Sequence, residues 1–407
     1  MKKLCCIFNT PSLYRKAIYK LIDSTFPCDW YFEDTDNRLA VFDTTELKQV
    51  SYLHAIPMGA FYRVRGLRHL IRKTEYSHYL MMGHSRNLSS LTLLLQKKLF
   101  YREKKVYLWT HGLYGKETKF EFLWKKLIYT LADGVFVYGD RAKMLMLQKG
   151  FPEEKIFAIH NSLDYPQQFA LRQQLKPSSL YYDHFCNDNK NIVFIGRLTK
   201  VKKFDLLLKA VSHLKDKGFY VNVTFIGDGT ERQRMEFLVK EMGIEKQVWF
   251  YGACYDEKTN AEMIYNADLC VSPGNIGLTA MHVLMFGCPA ITNDDFDSQM
   301  PEYEAIKDGE TGAFFKADDS DSLAKSIENW FEKHSGEREQ VRQACYSEID
   351  ENWNPDYQIN LIKKVINSTN MNVIQKITPP QTRINDVWSV NAFRTEGECL
   401  TSCRMAA

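Results

Sequence analysis

Short apolar runs of strand length alternate with helix-period segments along most of the chain. That rhythm leaves few folds open, because a strand buried on both faces needs a crossover helix before its next parallel neighbour. In the first half, residues 4–9, 79–82, 106–110 and 134–138 read as strands, with helices expected over 89–99 and 120–130. The rhythm lapses over 165–188, rich in Pro, Gln and Ser, and then resumes. Strands over 192–195, 221–226, 248–251, 269–271 and 290–292 alternate with helices over 204–217, 230–242, 258–266 and 278–286. A helix over 321–334 follows, and 335–367 reads as helical around the break at Trp353-Asn354-Pro355.

A chain of 407 residues suits two domains of ordinary size. The expected fold is α/β, with two Rossmann-like doubly wound domains facing each other across a cleft. Their bounds are 1–165 and 189–345, joined by a linker at 166–188. A helical segment at 346–367 is able to cross back to the first domain, and 368–407 forms an irregular tail. Ligands of such sheets bind at the carboxyl ends of the strands.

Composition narrows the partners. Residues 1–150 carry 25 Lys/Arg against 13 Asp/Glu, whereas the remainder carries 28 against 37. The basic half is suited to an anionic partner or a membrane surface. Nucleic acid is disfavoured, since neither a known nucleic-acid module nor an interleaved aromatic pattern is present. The ten cysteines are scattered and include no Cys-x-x-Cys pair, which argues against a zinc site or a disulfide framework and fits a reducing cytosol. The opening MKKLCCIFNTPSLYRK is too short in its apolar run for a signal peptide, and no run approaches about 18 apolar residues. A cytoplasmic location follows, with room for attachment at the inner face of a membrane.

Two segments suit an anion. In SPGNIGLTAMHVLMFGCP (272–289), a strand end gives way to Gly274 and Gly277, and a helix then starts at Leu278-Thr279. Bare backbone before unsatisfied N–H groups allows a phosphate close approach. In Gly196-Arg197-Leu198-Thr199-Lys200-Val201-Lys202, a strand end is followed by Arg197 and Lys202, a fork and a point charge suited to a diphosphate. Each has a plainer reading, as a tight turn or a solvated basic loop. Ile226-Gly227-Asp228-Gly229 lacks the third glycine of a dinucleotide fingerprint. His111 ends a strand at Trp109-Thr110-His111-Gly112 and is expected to face the cleft.

Taken in order, these segments resemble the retaining glycosyltransferases of the GT-B fold, family 4 or group 1 type, which build bacterial polysaccharide and lipid-linked glycans. The resemblance is carried by Ala132-Asp133-Gly134-Val135 with residues 155–164, by Gly196-Arg197-Leu198 with Lys202, and by 223–229 and 248–252. Gly277-Leu278-Thr279, Gly287-Cys288-Pro289 and Glu304-Ala305-Ile306 with Asp308-Gly309 and Gly312 complete it. It implies that Gly196, Arg197 and Lys202, with the N–H groups of Gly277, Leu278 and Thr279, bind the diphosphate of a nucleotide-sugar donor. It further implies that Gly252 and Ala253 flank the nucleobase, that His111 touches the transferred sugar, and that the basic first domain takes the acceptor. Arg197, Lys202 and His111 are the expected catalytic residues. The implied reaction is hexosyl transfer by front-face attack, with no metal and no cofactor beyond the donor.

One departure stands out. The family's two glutamates, eight positions apart, fall here at Gly274 and His282. A neutral His282 can still donate to or accept from a ribose hydroxyl but brings no carboxylate, and Gly274 brings no side chain. The glycine-rich loop after the first strand is replaced by Asn9-Thr10-Pro11-Ser12. Two other functions therefore remain open: a non-catalytic nucleotide- or glycan-binding protein on this scaffold, and a nucleotide-sugar epimerase.

Overall fold

The computed structural model describes residues 3–34 and 41–367. The first domain is built on a parallel sheet of β1 (Lys3–Phe8), β2 (Cys28–Glu33), β3 (Val50–Leu53), β6 (Tyr76–Met82), β7 (Lys105–Thr110), β8 (Gly134–Val137) and β9 (Ile156–Ala158). Their order is β3-β2-β1-β6-β7-β8-β9. An antiparallel hairpin, β4 (Ala55–Met58) and β5 (Phe61–Val64), stands outside this sheet. The second domain has β10 (Lys190–Ile195), β11 (Val221–Ile226), β12 (Val248–Gly252), β13 (Leu269–Ser272), β14 (Ala290–Asn293) and β15 (Gly312–Phe315), in the order β12-β11-β10-β13-β14-β15.

Both sheets are covered on both faces, as parallel sheets require. On one face of the first sheet lie α2 (Leu88–Phe100) and α3 (Lys119–Leu131), whose Leu93, Leu94, Ile128 and Tyr129 join Ile7, Val106 and Val135 in one core. On the other lie α1 (Lys16–Thr25) and the last helix of the chain, described below. α4 (Asp140–Gln148) follows β8. The segment 165–188, which lacks a clear apolar period, folds into α5 (Tyr165–Arg172) and α6 (Leu180–Phe185). α5 is anchored by polar side chains, with Arg172 paired to Asp350 and Gln168 donating to Glu257 at 2.8 Å.

In the second domain, α7 (Phe204–Asp216), α8 (Arg232–Glu241), α9 (Glu257–Asn266), α10 (Thr279–Met285), α11 (Ser320–Lys333) and α12 (Arg338–Asn352) complete the layers. At Asn354-Pro355 the chain turns into α13 (Pro355–Asn367), which returns to the first domain. There Ile359, Ile362 and Val365 pack with Trp30, Tyr107 and Phe136, and the Tyr357 hydroxyl donates to Ala158 O at 3.1 Å. This crossing helix ties the two domains together. The carboxyl ends of both sheets, at residues 8, 82, 110 and 137 on one side and 195, 226, 272 and 293 on the other, supply the loops that meet in the cleft.

Candidate active site

The two anion-suited turns of the second domain lie against each other. Beyond β10, Gly196 takes φ +138°, and the Thr279 hydroxyl donates to Ile195 O at 3.1 Å. Lys202 ends a short helical turn, and its ammonium donates to Asn275 O at 2.5 Å and Ile276 O at 3.2 Å. An ammonium has three N–H donors, so one remains for a ligand. Burial, with a small contribution from the positive charge of Arg197, pushes the Lys202 amine down to about 8 against the opposing pull of Cys270 and Glu302. The Arg197 side chain is exposed beside it. Gly277 adopts the left-handed region at φ +55°, and the backbone N–H groups of Gly277, Leu278 and Thr279 make no hydrogen bond among the described residues. α10 spans only seven residues, so oriented N–H groups count for more here than a long helix dipole.

Gly274 has a steric reason to be glycine. A Cβ at this position would lie 1.9 Å from Val201 O, because the 272–279 loop is pressed onto the 200–203 turn. Gln299 holds the loop from the other side, its amide donating to Gly274 O at 3.2 Å while its Oε1 accepts from Ile276 N at 3.0 Å. No side chain fits between these two turns, which is why the pattern of the sequence has none there.

His282 does have a carboxylate beside it. Its Nε2 lies 2.9 Å from Oε1 of Glu257 at the start of α9, where Gln168 also donates. Burial pushes the Glu257 carboxyl up, but the hydrogen bonds from His282 and Gln168 outweigh burial and hold it below the usual range. β12 ends at Gly252, at φ +96°, and the loop that follows it carries the exposed Ala253. A charged carboxylate thus stands directly after the segment expected to hold a nucleobase.

Across the cleft, His111 follows β7 with its ring 4.7 Å from that of Tyr138 and 5.8 Å from that of Tyr114. Burial, reinforced by Arg15, Lys125 and His84, drives the imidazole down to about 4, so it is neutral at physiological pH. Its Nδ1 is buried without a hydrogen-bond partner among the described residues. Arg15, just past Asn9-Thr10-Pro11-Ser12, is buried beneath it and donates to the Tyr138 hydroxyl.

The chain's likeness to known proteins agrees with this geometry. The family model described as glycosyl transferases group 1 matches residues 184–348. A Campylobacter jejuni alpha-1,4-N-acetyl-D-galactosaminyltransferase, named as acting on GalNAc-alpha-(1->4)-GalNAc-alpha-(1->3)-diNAcBac-PP-undecaprenol, is 31% identical over 251 residues, covering 54% of this chain and 67% of that protein. The chain belongs to the group 1 glycosyltransferases. The putative glycosyltransferase EpsD of Bacillus subtilis is 29% identical over 152 residues, 37% of this chain and 38% of EpsD, so the chain spans well under two thirds of that relative. Among solved structures, Anabaena HepE in complex with UDP shares the fold, with a TM-score of 0.66 at 15% identity, covering 90% of this chain and all of that one. The fold of this glycosyltransferase is GT-B.

Two cleft residues of the glycosyltransferase, Glu302 and Glu257, are invisible to motif reading, and a third, Glu304, lies in a motif that does not show its partners. Glu302 is buried, with Oε1 accepting from Asn161 of the first domain at 3.0 Å and Oε2 without a partner among the described residues. Burial raises its carboxyl above the usual range, against the pull of Asn161, Arg15 and Lys202. Glu304 reaches across to the start of α4, where Oε2 accepts from Asp140 N at 2.6 Å and Oε1 from Arg141 N at 3.3 Å. Arg141 in turn pairs with Asp297. Strand-end placement is a signal for Arg15 and the 297–304 loop, but the partners are supplied by tertiary structure.

Proposed function

We propose that this glycosyltransferase moves a sugar, with retention, from a nucleotide-diphosphate donor to a hydroxyl of a glycan or lipid-linked glycan in cell-surface polysaccharide synthesis. The observation that carries this reading is the Lys202 ammonium bonded to the 275–276 backbone beside Arg197, two positive groups at one strand-end turn. The acceptor class is also favoured by the lipid-linked glycan on which the Campylobacter jejuni relative is named as acting and by the basic first domain.

In this reading the donor diphosphate takes the free Lys202 N–H, the Arg197 guanidinium and the N–H groups of residues 277–279. The nucleobase rests on Gly252 and Ala253, and the ribose hydroxyls bond to Glu257, which His282 orients. His111, neutral, contacts a sugar hydroxyl from the side of the first domain. An acceptor hydroxyl attacks the anomeric carbon on the face from which the diphosphate leaves. The new C–O bond forms as the bond to the phosphate oxygen breaks, and that oxygen takes the acceptor proton. Negative charge grows on the leaving phosphate, where a fixed donor of this kind contributes about 3 kcal/mol to the transition state. Closure of the domains along the α13 tie excludes water.

The steric closure at Gly274 favours one alternative, a protein of this scaffold that binds nucleotide without turnover. Incubating the protein with a panel of nucleotide sugars, with and without glycan acceptors, and weighing the products separates the readings. A glycosylated acceptor or slow donor hydrolysis supports transfer. Tight binding with no product across the panel supports the binding protein, and an interconverted free nucleotide sugar supports an epimerase.

A further inference from the structure

His111 stands on a loop whose backbone is held by two opposite charges. The loop runs from the end of β7 to the start of α3 and carries Gly112 at φ +69° and Gly115 at φ +93°. At Gly112 a Cβ would lie 2.9 Å from Val137 Cγ1, so the chain is pressed onto β8 there. The Glu117 carboxylate accepts from Tyr114 N at 2.7 Å and from Gly115 N at 3.0 Å. Lys125 of α3 donates to Glu117 Oε1 at 2.8 Å and to Gly112 O at 3.1 Å. Its ammonium also lies 5.0 Å from the centre of the Tyr114 ring, and that ring is stacked against His111. Burial pushes the Glu117 carboxyl up, but the bonds from Lys125 and Tyr114 N outweigh it and hold the group below the usual range.

The plainer task for Glu117, capping α3, is already done by Thr118 and Glu121, which bond each other's backbone N–H groups. The side chains of Glu117 and Lys125 are only 9% and 16% exposed. An ion pair so far withdrawn from water adds little net stability over apolar residues of the same shape. What this pair adds is geometry. A functional side chain carried on a loop is precise only when supporting bonds lock that loop. The same loop also meets the second domain, where a Cβ on Gly115 would lie 3.4 Å from Asp297 Oδ1. We propose that Glu117 and Lys125 are positioning residues for His111, fixing the 112–115 backbone and the Tyr114 ring so that the imidazole keeps one orientation in the cleft. This assignment rests on the contact of His111 with the transferred sugar proposed above.

Glu117→Gln and Lys125→Met, each in the full chain, test it with a donor of the nucleotide-sugar panel that supports transfer. Each should lower kcat about tenfold or more, as small misplacements of a reacting group do, with donor KM within about twofold of the wild type. The loss should vanish in a His111→Ala background, where no imidazole is left to misplace. Wild-type kcat in both folded variants, or an undiminished loss in the His111→Ala background, overturns the assignment. The proton–nitrogen NMR signals of the His111 ring, identified by their absence in His111→Ala, read the positioning without turnover. They should move in both variants, and in Lys125→Met the ring should titrate at higher pH, because a neighbouring positive charge is gone. Unmoved signals overturn the positioning whether or not sugar is transferred. Moved signals in a protein that transfers from no donor support the positioning and overturn the transfer reading alone. Where Lys125→Met does not fold, Lys125→Arg keeps the charge but presents a wider fork to Gly112 O, and it should move the same signals. Unmoved signals in that variant count against the assignment equally.

Discussion

The backbone N–H of Gly274 donates to Lys202 O at 2.9 Å, so the two anion-suited turns of the second domain are bonded to each other. The resulting geometry makes glycine at 274 a requirement of this chain. Gly274→Ala would set a Cβ against Val201 O and part the turns, at a cost of about 1–3 kcal/mol as overpacking typically does. We expect a lower melting temperature and weaker nucleotide binding together. Gly274→Glu, which restores the residue usual at this position, should do worse than alanine. A Gly274→Glu protein with full stability and improved turnover would contradict the packing account.

Lys202 sets a basic limit on donor binding. Its amine sits at about 8, lowered chiefly by burial, so below pH 8 it is charged with or without ligand. A bound diphosphate favours the charged form and raises that value. Donor affinity should therefore be flat below pH 8 and fall by up to tenfold per unit above it, with proton uptake in calorimetry at pH 9. Affinity constant from pH 7 to 9.5 would separate Lys202 from the diphosphate.

His111 predicts the absence of an acidic limb. Because burial holds it neutral down to about pH 4, turnover should not titrate near the ordinary histidine value of roughly 6.5. His111→Ala should lower kcat more than it raises the donor KM, since the proposed contact is to the transferred sugar. The pH–rate profile and the two kinetic constants of the variant check this.

Glu257 is predicted to recognise the ribose. Glu257→Gln keeps the shape and removes the charge, and hydrogen bonds to charged groups contribute about 1.5–3 kcal/mol. The donor KM should rise about tenfold or more with kcat little changed. Discrimination against a 2′- or 3′-deoxy donor should shrink in parallel. His282→Ala should give a smaller version of the same effect, because His282 orients Glu257. Unaltered discrimination in Glu257→Gln would place the ribose elsewhere.

The parts of the fold legible in the sequence are those whose burial is purely apolar. β10, whose Ile192, Val193, Phe194 and Ile195 are all buried, reads directly as a strand. β2 does not, because Asp29 and Glu33 interrupt CDWYFE. Both are buried, Asp29 accepting from Lys3 and the Tyr76 hydroxyl and Glu33 from Asn87. α5 hides for the same reason, since Gln168 and Arg172 make its buried contacts. Among candidate site residues, the strand-end placement of Arg197, Lys202 and 277–279 was legible because a glycine-bearing strand end announces a cleft loop. The Glu257–His282 and Glu302–Asn161 pairs join residues far apart in the chain, and no spacing rule connects them. The expected tail at 368–407 lies outside the described residues.

The central claim is that Lys202 and Arg197 form one site for a diphosphate. Calorimetric titration with a panel of nucleoside diphosphates, on the wild type and on Lys202→Met and Arg197→Ala, tests it most directly. We predict that at least one nucleoside diphosphate binds the wild type and that each substitution weakens it by about tenfold or more, with turnover of Arg197→Ala down about a hundredfold. Binding unchanged in both variants, or no binding by any nucleoside diphosphate, would contradict the account.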